Sequence, residues 1–188
     1  MSSGKTHSAV AVALMIPISA GAYYAWNAGY DCAPWLAVGG FAGWFLTSDA
    51  DVAGNTDEDR RLWTIFPPFG YCWQVLLYPY ALAFKHREIS HWPLIGTVTR
   101  MVYLLLIAIG AIILINGVAN LLIPGALFAD PLAPLQWVSQ NQECLVWMYA
   151  AWALQDFVHF VFDLVSTGLK HFAHRRHHGY RGRWRYYD

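Results

Sequence analysis

Residues 96–123 constrain this chain more than any other stretch. Between Leu104 and Ile115 almost every side chain is apolar. A helix over that run, rising about 1.5 Å per residue, reaches across the roughly 30 Å hydrocarbon core of a bilayer with length to spare. Only 13% of the 188 residues are charged, against about 25% in a typical soluble domain. Such a chain has too little charged surface for an ordinary water-soluble fold, and the fold expected is an all-α, polytopic membrane helix bundle.

Residues 8–27 and 143–166 are further spanning candidates. Residues 33–47 are apolar but short, about 15 where roughly 20 are usual. Gly39, Gly40 and Gly43 give that segment a small-residue face for close helix packing. Residues 62–83 are aromatic and broken by Pro67, Pro68 and Pro79, which argues against a straight spanning helix. Residues 124–142 hold Pro124, Pro131 and Pro134 and read as a loop. Lys5 before an apolar run, with Ala20-Gly21-Ala22 after it, resembles a secretory signal peptide. A single Lys is a thin n-region, so the reading kept is a retained helix. The domain expectation is a membrane helical domain over 1–169 and a basic, His-rich tail over 170–188.

Charge placement orients the bundle. With crossings at 8–27, 33–48, 96–123 and 143–166, and 49–95 kept on one face as an interfacial segment, the loops 28–32 and 124–142 share the opposite face. Neither loop contains Lys or Arg, so all twelve basic residues lie on the side of the termini. The positive-inside rule makes that side cytoplasmic. The expected arrangement is multi-pass, with both termini cytoplasmic. Net charge is zero, which offers nucleic acid no electrostatic footing. Cys32, Cys72 and Cys144 have no C-x-x-C spacing, which argues against a thiolate zinc site. Cys32 and Cys144 fall at non-cytoplasmic helix ends, where an oxidising compartment permits a disulfide if their Cα atoms lie within about 7 Å.

The same topology gathers potential metal ligands at one level. His7 opens the first helix. Asp49 and Asp51 follow the second. His86 and His91 precede the third. His159 and Asp163, spaced i, i+4 on one helix face, lie in the last turns of the fourth. Asp and His inside a spanning helix are costly unless paired, hydrated or metal-bound. The plain alternatives are a hydrogen-bonded His159–Asp163 pair and a solvated acidic turn at Asp49-Ala50-Asp51. Asp156, one turn deeper than His159, reads as a group that could orient the imidazole. His171, His174, His177 and His178 sit among arginines in the tail. That tract reads as a segment on anionic lipid headgroups, with metal binding as the other option.

These pieces resemble a bacterial, largely cyanobacterial, family of metal-binding membrane proteins of unknown function, itself akin to membrane-bound metal-dependent hydrolases of the YdjM type. The matching stretches are Ser3 to His7, Gly39-Gly40 leading to Ser48-Asp49-Ala50-Asp51, Lys85 to Thr97 with Arg100 and Tyr103, and His159 to Asp163. Two departures are Ser48, where similar members have Pro, and Trp92, where they often have Gly. The resemblance implies a metal site built from His7, Asp49, Asp51, His86, His91, His159 and Asp163.

Seven ligands exceed the four of one tetrahedral zinc, so one or two divalent ions are expected, with zinc ahead of manganese or iron. Two functions are open. The metal can tie helix ends together in an accessory or scaffold subunit of a membrane complex, with the many aromatics meeting neighbouring subunits and lipid. Alternatively it activates water against a phosphoester or lipid headgroup.

Overall fold

The computed structural model describes residues 4–46, 67–84 and 92–182, with side chains described within those segments from residue 9 to residue 169, Phe69 excepted. Every regular element among them is helical. The helices are α1 (Gly4–Asn27), α2 (Pro34–Phe45), α3 (Pro67–Ala83), α4 (Pro93–Leu122), α5 (Ala133–Gln140) and α6 (Gln142–Gly182).

Local chemistry sets several of the boundaries. Pro34 and Pro93 each open a helix, where the missing N–H costs nothing and the fixed φ is already helical. Pro124 follows the end of α4, and a residue before proline is pushed out of the α region. The turn after α1 passes through Gly29 at φ +96° and the turn after α4 through Gly125 at φ +85°, a left-handed conformation that glycine adopts without steric cost. The Asn120 side chain accepts from the Gly125 N–H at 2.7 Å, and Asn116 holds the Phe128 and Ala129 backbone in the same loop.

Three helical stretches among the described residues, not four, are long and apolar enough to cross a membrane: Ala9–Asn27, Pro93–Leu122 and Gln142–Leu169. The expected crossing at 33–48 falls short because α2 has 12 residues, about 18 Å of helix against a core of roughly 30 Å. One other expectation is revised. The expected loop 124–142 contains helix α5, since Pro134 lies in its first turn, where proline is compatible with a helix. Helix α6 runs on past residue 169 to Gly182.

Glycines let α2 lie deep between its neighbours. A Cβ on Gly39 would stand 1.9 Å from the Met148 carbonyl oxygen of α6. A Cβ on Gly43 would meet Gln155 and Trp152, and one on Gly40 would meet Ile18 and Met15 of α1. Cys32 and Cys144 form a disulfide with Cα atoms 4.7 Å apart, so α2 and α6 start side by side. They then run in parallel, Gly39 passing Met148 and Gly43 passing Gln155. Helix α1 runs antiparallel to both, with Gly21 near Leu36 and Ile18 near Gly40.

Helix α3 aligns with α4. The Tyr80 and Thr99 hydroxyls are 2.9 Å apart, and the Tyr103 hydroxyl donates to the Leu76 carbonyl. These pairs, in reversed order along the two chains, make α3 antiparallel to α4 over this stretch. The described part of the segment 49–95 therefore packs against α4. The reason is burial: Leu77 and Tyr80 join Leu46 and Trp152 in a common core cluster.

Candidate metal centre

One stripe of α6 organises the candidate site. Trp152, Gln155, Asp156, His159 and Asp163 recur at three- and four-residue steps, so they occupy one helix face. Exposure grows along it. The side chain of Asp156 is 2% exposed, that of His159 9% and that of Asp163 23%. The stripe thus begins in the bundle core and opens at the end farther from the disulfide.

At its deep part the stripe carries an ion pair. The Arg100 guanidinium of α4 donates to the Asp156 carboxylate, and the Thr97 hydroxyl shares the same oxygen. Thr97 also lies within hydrogen-bonding distance of the Pro93 carbonyl, so its one proton serves two acceptors. Thr97, Arg100 and Asp156 are each at most 3% exposed, and the guanidinium carbon lies 5.8 Å from the centre of the Trp152 ring. Asp156, expected to orient His159, commits one carboxylate oxygen to α4. Arg100, counted among the basic residues of the cytoplasmic face, is a buried partner within α4. The pair had a readable signal: one Arg and one Asp inside otherwise apolar spanning segments, where charges persist mainly when paired.

One turn further, His159 Nε2 and Asp163 Oδ2 are 3.6 Å apart. That is longer than a good hydrogen bond. Two ligands at 2.0–2.2 Å from one tetrahedral ion stand roughly 3.4 Å from each other. The imidazole and carboxylate thus stand at a separation that two ligands of one divalent ion could have.

Residue His7 stands on the same level by backbone placement. Gln155 Nε2 donates to the Ala11 carbonyl of α1 at 3.1 Å. One turn before Ala11 on α1 is His7, and one turn after Gln155 on the antiparallel α6 is His159. The His7 side chain lies outside the described ones. Asp49, Asp51, His86 and His91 lie outside the described residues altogether. Among the described residues, no three His, Cys, Asp or Glu side chains form a metal-binding group.

No curated protein matches the chain, and no solved structure does. A family model does match, and it covers residues 2–173, nearly the full length. The chain belongs to the family described as uncharacterized metal-binding protein (DUF2227).

Proposed function

We propose that this is a multi-pass membrane protein that binds one or two divalent ions, zinc foremost, at the cytoplasmic end of its helix bundle, through His7, Asp49, Asp51, His86, His91, His159 and Asp163. The observation that carries the reading is the His159–Asp163 pair, set at ligand spacing where the α6 stripe opens. The metal would clip together helix ends at that side of the bundle. The protein would then serve as an accessory or scaffold subunit of a membrane complex, its exposed aromatic and aliphatic side chains, among them Tyr24, Phe41 and Leu114, facing lipid and neighbouring subunits.

Two features support the orientation in a bacterial inner or thylakoid-type membrane. The Cys32–Cys144 disulfide marks one end of the bundle, and disulfides persist in oxidising compartments. Lys and Arg are absent from 28–32 and 124–142 at that end, as the positive-inside rule requires of an outer face. The parallel run of α2 and α6 supports a return of the chain from the disulfide end toward the site end, although α2 is short. The tail over 170–188 would rest on anionic headgroups.

A second reading, hydrolysis of a phosphoester or lipid headgroup, draws on the partial exposure of Asp163 and on the resemblance to YdjM-type hydrolases. The two separate experimentally. Zinc-loaded protein is assayed for lipid-phosphoesterase turnover and for its unfolding temperature with and without chelator. A structural clip predicts a chelator-dependent fall in unfolding temperature and no turnover. Metal-dependent turnover lost in His159→Ala would establish the hydrolase instead.

A further inference from the structure

Helices α4 and α6 meet closely where Thr97 and Arg100 reach Asp156 and where the Tyr149 hydroxyl lies 3.4 Å from the Leu94 carbonyl. Beside this contact they leave a cavity of about 710 Å³, with α2 and α5 as its further walls. Ala42, Met101, Leu105, Trp137, Leu145 and Trp152 are among the side chains that line it. Apart from the Tyr149 hydroxyl and the indoles of Trp137 and Trp152, the described lining is aliphatic or thioether. The α5 wall is held in place. Trp137 meets Trp35 of α2 with ring centres 4.9 Å apart, and Asn116 of α4 binds the Phe128 and Ala129 backbone in the loop that leads to α5. Val98, Val102 and Val146 also line the cavity and are exposed. Its mouth therefore lies on the flank of two helices long and apolar enough to cross a membrane. Packed interiors keep few spaces larger than a water molecule. This one has the apolar lining and the size of a ligand pocket, roughly 300–1,000 Å³.

We propose that this cavity holds one acyl chain of a bilayer phospholipid. The proposal rests on the reading of the chain as a membrane protein and not on the metal site. On that reading the medium at the mouth is hydrocarbon, and the walls offer an occupant dispersion contacts with few polar anchors. Size decides among the apolar occupants. At about 30 Å³ per methylene, close to the share of a liquid water, a chain of about sixteen to eighteen carbons needs roughly 500 Å³, and two such chains overfill the cavity. A neighbouring helix, about 10–12 Å across with a rise of about 1.5 Å per residue, would use up the space in roughly five residues. That is too few to seat a spanning segment of a partner or of a second copy. The ester end of the chain belongs at α5, where exposed Gln136, Ser139 and Gln140 flank Trp137, a polar and aromatic edge of the kind that sits at headgroup level.

The test uses the full chain in vesicles of phosphatidylethanolamine and phosphatidylglycerol, doped with a phosphatidylglycerol that carries a photoreactive diazirine midway along one acyl chain. After illumination the crosslinked peptides are mapped by mass spectrometry. Crosslinks are expected to concentrate on 98–105 of α4 and 145–152 of α6. They should exceed those on Ile113, Leu114 and Val118, which are exposed on α4 but outside the cavity. Val98→Trp with Val102→Trp places two rings at the mouth, at exposed positions where the fold is expected to survive, and should abolish the excess. Val118→Trp, at an exposed position of the same helix, should keep it. An even spread over all apolar flanks, or a pattern unmoved by the double variant, overturns the proposal. Unlabelled cavity peptides in the wild type overturn it as well, with a dimer or a bound non-phospholipid in the native mass spectrum naming the true occupant. A chain that washes off membranes at high pH fails the membrane reading and the proposal together, so that fractionation tells the two failures apart.

Discussion

Arg100 of α4 and Asp156 of α6 form an ion pair at the bottom of the candidate site, each residue at most 3% exposed. The pair joins the longest apolar helix to the helix that carries His159 and Asp163. Removing one partner of such a pair leaves a buried charge without compensation, which typically costs about 3–5 kcal/mol. Arg100→Ala and Asp156→Ala are each expected to destabilise the protein by that order. The double variant Arg100→Leu/Asp156→Leu should cost clearly less than the sum of its two singles. Equilibrium unfolding in detergent, arranged as a double-mutant cycle, reads the coupling. Additive effects would show that the two charges are not energetically paired.

The glycines of α2 should rank by what a new methyl group meets. Gly39→Ala places a Cβ 1.9 Å from a backbone carbonyl oxygen, which cannot rotate away. Overpacking of this kind usually costs about 1–3 kcal/mol or more. Gly40→Ala meets the Ile18 Cγ2 methyl at 2.9 Å and the Met15 sulfur at 3.2 Å, side-chain atoms that can shift further than a helix carbonyl can. Gly21→Ala meets only Leu36 at 3.6 Å, ordinary van der Waals contact, and should be near neutral. The expected order of unfolding temperatures is wild type close to Gly21→Ala, then Gly40→Ala, then Gly39→Ala. Equal losses at all three would contradict the close approach of α2 to α6.

The disulfide offers a test of orientation as well as stability. Cys32 and Cys144 close a long loop, with a sequence separation of 112. Losing such a link typically costs about 2–4 kcal/mol. Cys32→Ser should lower stability by that order. In intact cells a membrane-impermeant thiol reagent should label both cysteines after reduction and neither before. Labelling only after the membrane is opened would place the disulfide end inside and reverse the proposed topology.

Much of the bundle was legible in the sequence because apolar runs need no partner to be recognised. The stretch from Leu104 to Ile115 declares a spanning helix by itself. Length was harder to read in 33–47. Its composition looks membrane-like, but what makes it a helix lying between two others is the set of glycines, whose value appears only against Met148, Gln155 and Ile18. Helix α5 was hidden by Pro131 and Pro134, because a proline inside the first turn and a proline in a loop look alike in a one-dimensional pattern. The common face of His159 and Asp163 on α6 was legible, because their i, i+4 spacing fixes it. Partner choice was not. Asp156 lies on that same face, but it turns to Arg100 on α4, which is 56 residues away in sequence.

Metal stoichiometry decides whether His159 and Asp163 hold metal, as proposed. Purified protein is loaded with zinc, passed over a desalting column and analysed for bound metal, beside His159→Ala and Asp163→Asn. One or two ions per chain are expected in the wild type and a sharp loss in both variants, with folding retained. A wild-type protein free of metal, or variants that keep the full complement, would contradict the proposal.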